Sequence, residues 1–101
     1  MSADLGLLSV DDFRPYLNQT LPIRFEESVT MPAELAKVTA LENRTGIGRQ
    51  PFSVVFRTAQ KDNYYQQAIY ILEHPVKGNM EIFLVPLGPD GVGMKYEAVF
   101  S

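Results

Sequence analysis

Phe83-Leu84-Val85-Pro86-Leu87-Gly88-Pro89-Asp90-Gly91-Val92-Gly93-Met94-Lys95-Tyr96-Glu97-Ala98-Val99-Phe100 reads as strand, turn and strand. Met94, Tyr96, Ala98 and Phe100 share one parity while Lys95, Glu97 and Val99 share the other, the period of a half-buried strand. Gly88-Pro89-Asp90-Gly91 supplies the preset and the positive φ that a tight turn requires, so a hairpin is expected there. On its other side, Ile82 to Leu87 is apolar at both parities. Both faces of that strand therefore need cover, one from the core and one from a helix or a partner.

The same period of two recurs upstream. Phe52, Val54 and Phe56 alternate with Ser53, Val55 and Arg57, and Leu21, Ile23 and Phe25 alternate with Pro22, Arg24 and Glu26. Pro22 lacks an N–H, which places its strand at an edge or a bulge. Ala68, Tyr70 and Leu72 share a side opposite Ile69, Ile71 and Glu73, leaving apolar groups on both faces of a fourth strand. Ala33 to Leu41 fits helix and strand equally by its own pattern. At the N-terminus, Ser9 and Asp12 have capping-box spacing, Leu8 and Phe13 have staple spacing, and Pro15 limits the helix to about two turns over 9–17, with Phe13, Tyr16 and Leu17 as its apolar face. The expected fold is a mainly β domain over 1–101, an antiparallel barrel or sandwich of about six strands from about 20 to 100, with that short helix as a lid.

A chain of 101 residues with 46% hydrophobic and 21% charged residues has the size and balance of one globular domain. It has no cysteine, so neither a disulfide framework nor a thiolate zinc site is expected to hold it together. The net charge of −3 disfavours nucleic acid and anionic membranes as partners. Met1-Ser2-Ala3-Asp4 does not read as the start of a secretory signal, and the apolar run Ile82 to Leu87 is too short to span a bilayer, so synthesis in the cytoplasm is expected, with later inclusion in an exported or virion-like assembly left open.

The residues that could carry chemistry have a plainer reading in each case. His74, the sole histidine, precedes Pro75 in a turn and is expected to bond turn backbone. Asp11-Asp12 and Glu26-Glu27 are adjacent pairs, whereas acid–base catalysis needs carboxylates that converge across a cleft. Gly46-Ile47-Gly48 between Arg44 and Arg49 lacks the Lys-Ser/Thr of a phosphate loop, Asn43-Arg44-Thr45 is a chance sequon, and no Gly-x-Ser-x-Gly elbow occurs. Arg24, Arg57, Lys95, Glu81 and Glu97 fit outward cross-strand pairs, and the alternating aromatics fit a core. No catalytic residue, cofactor or metal site is expected, and the domain is expected not to be an enzyme.

Pro51-Phe52-Ser53-Val54-Val55-Phe56-Arg57, Leu72-Glu73-His74-Pro75, Phe83 to Gly91 and Gly93 to Phe100 together resemble a family of small uncharacterised bacterial proteins, a domain of unknown function encoded beside phage-tail-collar-like proteins. The resemblance implies a compact β domain with Ala33 to Leu41 as a strand. It also implies polar residues where this chain has Ile69 and Ile71, and a role in tail-like or fibre-like assembly. The expectation is a structural or adaptor domain that binds protein partners, tail-collar-like fibre proteins or itself, through a sheet edge or the Ile69/Ile71 face, with outward Val55 grouped with them. A small-molecule or carbohydrate-binding β-barrel is the alternative.

Overall fold

The computed structural model describes residues 8–42 and 50–100. Six strands, β1 (Thr20–Glu26), β2 (Val29–Ala40), β3 (Phe52–Thr58), β4 (Ala68–His74), β5 (Gly78–Pro89) and β6 (Met94–Phe100), close into a barrel in the order β1-β2-β3-β6-β5-β4. Every pairing is antiparallel. Of the two architectures that the alternation allowed, the barrel forms, and the ambiguous segment after Pro32 is strand. The inward sets are those that parity picks out: Leu21, Ile23 and Phe25 on β1, Phe52, Val54 and Phe56 on β3, and Met94, Tyr96, Ala98 and Phe100 on β6 are all buried. With Leu35, Leu72, Ile82 and Leu84 they fill the interior, leaving a packed core where a wider barrel would have a lumen.

Closure has a consequence for the prolines. Pro22 and Pro32 stand directly opposite each other across β1 and β2. Neither has an N–H, so they must form a pair that exchanges no hydrogen bonds, with their ring nitrogens turned toward the neighbouring strands. There the ladders do not need them: β1 pairs with β4 only at Ile23↔Leu72 and Arg24↔Ile71, and β2 begins pairing with β3 at Glu34. The expected edge position of Pro22 is thus a local one, within a strand that has neighbours on both sides.

The N-terminal segment stoppers one end. The expected helix forms as two consecutive 3-10 turns, Val10–Asp12 and Arg14–Tyr16, with Pro15 inside the second. Leu8 and Phe13 are both buried, as the staple requires, while Leu17 points outward. The Phe13 ring sits 5.6 Å from Phe100, 5.8 Å from Phe52 and 5.6 Å from His74. At the opposite end the segment after β3 closes over Phe25: Tyr65 stacks on it at 4.7 Å, and the Tyr65 N–H donates to the Tyr96 hydroxyl at 2.9 Å. That hydroxyl donates to Gln60 Oε1 at 2.6 Å, which also accepts from the Thr58 hydroxyl. Among the described residues no helix is long and apolar enough to cross a membrane.

The β5–β6 turn lies two residues later than Gly88 to Gly91. β5 runs on to Pro89 because an extra residue, Leu87, bulges out between the pairs Pro86↔Tyr96 and Gly88↔Lys95. Asp90 then builds the turn: its Oδ1 accepts the N–H groups of Val92 and Gly93, both at 2.9 Å, and its Oδ2 accepts from Arg57 Nε at 2.7 Å. The Gly93 and Val92 N–H groups, then the Arg57 guanidinium, hold the Asp90 carboxyl down to about 2. Gly93 has no room for a side chain, since a Cβ there would stand 1.8 Å from the Thr58 carbonyl oxygen.

Candidate functional site

The residues singled out for partner binding fall on two opposite walls. Ile69 and Ile71 lie on the outer face of β4, where Ile69 is 62% exposed and Ile71 is half-buried. The register places Phe83 of β5 directly opposite Ile69, and it is 52% exposed. Val55 lies on β3, three strands from β4 in either direction around the ring, and is 9% exposed. Grouping it with the isoleucines is therefore not how the fold arranges them. The linear pattern shows that all three face outward; the strand order that separates them is a property of closure.

The β4 face adjoins the weakest seam of the barrel. Beyond Arg24↔Ile71 the β1–β4 ladder stops, at the point where β1 carries a bulge in its ladder with β2, between Arg24 and Glu26. Ala68, Ile69 and Tyr70 therefore have no β1 ladder partners, and a hollow of about 330 Å³ opens beside them, lined by Arg24, Phe25, Glu26, Glu27, Ile69, Tyr70 and Ile71. This is one of the places where a sheet edge persists as a gap in the closed wall. The N-terminal turns sit over Phe52 and Phe100 at the barrel's end and do not supply the cover for this face.

Acidic groups frame this face. Glu81 stands opposite Ile71, and Glu26 and Glu27 line the hollow. Arg24 is already engaged with Glu73 at 2.9 Å. The Tyr65 hydroxyl donates to Glu26 Oε2 at 2.6 Å, and this bond, with some desolvation, pushes the phenol up to about 12. Sequence reasoning missed Phe83 as a site residue although the signal was present: if Ile82 and Leu84 face in, Phe83 must face out.

On the opposite wall Val55 and Ser53 form the floor of a groove of about 450 Å³. Lys37 of β2 and Glu97 of β6 flank Val55 in one cross-strand row, Thr39 stands beside Ser53, and Lys95 stands beside Arg57. Leu87, thrown out by its bulge, forms part of the far wall. Arg57 is bound to Asp90 and to Glu34, so the groove's free cations are Lys37 and Lys95, neither of which forms an ion pair among the described residues.

His74 is a strut. Its Nδ1 accepts the N–H groups of Val76 and Lys77 at 3.1 and 3.0 Å, which leaves Nε2 to carry the proton and donate to the Asp12 carbonyl at 2.7 Å. The same Asp12 accepts the Ser9 N–H at 2.8 Å and meets Lys77 at 3.4 Å, so the turn after β4 and the N-terminal lid are laced together through one residue. No group of three or more His, Cys, Asp or Glu side chains gathers as a metal site among the described residues. The glycine-rich segment and sequon of 43–49 lie outside the described residues.

A sealed six-stranded barrel with its chemistry on the outer wall is the class of protein these features define. The chain belongs to the DUF6916 family, a domain of unknown function, whose family model matches residues 8–100. No curated protein and no solved structure matches it.

Proposed function

We propose that this chain is a non-enzymatic structural or adaptor domain that binds a protein partner across the Ile69–Phe83 face. The observation that carries the reading is a directly opposed pair of large apolar side chains, each more than half exposed, beside the shortest ladder of a barrel whose interior is filled. Full burial of such a side chain is worth about 1.5–3 kcal/mol, and part of each is already covered, so the pair offers roughly 2–4 kcal/mol to a partner. The β1-side backbone of Ala68 to Tyr70, which has no ladder partner there, adds hydrogen-bonding groups of the kind used in strand addition. Glu26, Glu27 and Glu81 select an apolar surface that carries lysine or arginine at its rim. The setting we propose is a bacterial tail-like or fibre-like assembly, which the domain would join after cytoplasmic synthesis. Its support is the resemblance to proteins encoded beside phage-tail-collar-like proteins.

The test is site-directed photocrosslinking in native cells from positions 69 and 83, with exposed Val76 as the control. The expected outcome is the same adduct from both test positions and none from 76, and binding of the purified adduct partner that Ile69→Thr with Ile71→Thr weakens. Adducts that do not depend on position, or a partner indifferent to the double substitution, would overturn the reading. A second reading, small-molecule or carbohydrate binding, has the groove over Val55 as its observation, since the interior is filled. Tight ligand binding by the isolated monomer, lost with Ser53→Val, would favour it.

A further inference from the structure

We infer that the partner for the Ile69–Phe83 face includes a second copy of this chain, which receives it in the groove over Val55, so that copies associate head to tail. The inference rests on the reading of that face as protein-binding and names its occupant. One surface exposes large apolar side chains and the other is a groove. On one wall Ile69 and Phe83 project, and on the other Val55 and Ser53 face outward yet lie almost covered, at the bottom of a groove of about 450 Å³ with Leu87 on its side.

The two surfaces are complementary in charge. The projecting face is framed by Glu26, Glu27 and Glu81, while the cations of the groove that form no ion pair among the described residues are Lys37 and Lys95, beside Glu97 and an Arg57 already shared by Asp90 and Glu34. A two-fold contact of the projecting face with itself would put glutamates against glutamates, which disfavours the isologous dimer. To the same apolar pair the groove offers Val55 and Leu87, with Lys37 and Lys95 to set against the glutamates.

Position decides what such a contact builds. In the ring β1-β2-β3-β6-β5-β4, the β4–β5 pair lies opposite β2–β3, so the projecting face and the groove point in opposite directions. A heterologous contact between opposite faces does not close on itself and adds copies in a row.

The experiment is sedimentation of the full chain over a concentration series, with two variants that each disable one surface. Ile69→Asp/Phe83→Ser removes the ridge, and Lys37→Glu/Lys95→Glu reverses the groove. The expected result is that wild-type mass rises with concentration beyond a dimer and falls on adding salt. Each variant alone stays monomeric, its association weakened at least about tenfold per residue changed. Mixed in equal amounts, they form two-chain complexes and nothing larger, because one intact ridge then meets one intact groove. Thermal melting of each variant checks folding, and Lys37→Gln/Lys95→Gln replaces the charge reversal if that pair does not fold. Wild type that stays monomeric to about millimolar concentration overturns the inference and leaves the face to a foreign partner. So does a groove variant that associates as wild type does while the ridge variant does not. Association that survives both variants overturns the inference, and a crosslinking failure at positions 69 and 83 would separately overturn the reading beneath it.

Discussion

Replacing Phe13 with alanine tests whether the N-terminal turns are part of the core or a strap laid over it. The ring is fully buried and packs against Phe52, Phe100 and the edge of His74. Truncating a buried phenylalanine costs about 3–5 kcal/mol through lost transfer energy and the cavity left behind. A domain of this size has roughly 5–15 kcal/mol to lose, and each kcal/mol moves its melting temperature by about 4–8 °C. The expected drop is therefore on the order of 12–40 °C, with Phe13→Leu costing about 1 kcal/mol because it keeps most of the volume. Thermal and denaturant unfolding measure both. Amide exchange at Val76 and Lys77, whose N–H groups donate to His74, should quicken in the alanine variant as the lid loosens. A loss below about 1 kcal/mol with unchanged exchange would refute the idea that this segment completes the barrel.

Gly93→Ala should destabilise by at least about 2 kcal/mol, because its Cβ would stand 1.8 Å from a backbone oxygen that no rotamer change can move. Gly91→Ala, at φ +88° with open space around it, should cost less, about 1–2 kcal/mol, and calorimetry of the pair orders them. For Asp90 the folded pKa lies below the ordinary value of 3.8, so its stabilisation is present above that value and disappears as pH falls toward about 2. Melting temperature followed from pH 5 to pH 2 should show that loss in the wild type, and Asp90→Asn should flatten the curve while lowering its plateau.

The period of two made most of the barrel legible, since Leu21-Ile23-Phe25, Phe52-Val54-Phe56 and Met94-Tyr96-Ala98-Phe100 each announce an inward face without any tertiary information. What the pattern could not carry is how the strands close. β2 begins at Val29 and passes through Pro32, which is tolerated because its nitrogen faces the β3 side where no ladder has yet begun. The bulge at Leu87 was hidden for a related reason: one extra residue leaves the apolar composition unchanged while moving the turn two positions along. Phe83 could have been read as outward from Ile82 and Leu84. The distance between Val55 and Ile69 could not, because it depends on which strands are neighbours.

Closure also decides where a binding surface can form. An antiparallel sheet with free edges can recruit a partner at either one, but this barrel has used both edges against each other, and its interior is filled from end to end. What remains is the place where closure is least complete. The β1–β4 ladder has two residue pairs where β3–β6 has seven, and part of that shortfall falls beside Ile69, next to the bulge that follows Arg24 in β1. Threonine at positions 69 and 71 would keep the β-branched shape that strands favour and would remove the reason for a partner to sit there. The apolar face and the β1-side backbone left without a ladder partner thus lie side by side, and a partner that buries the first is positioned to pair with the second.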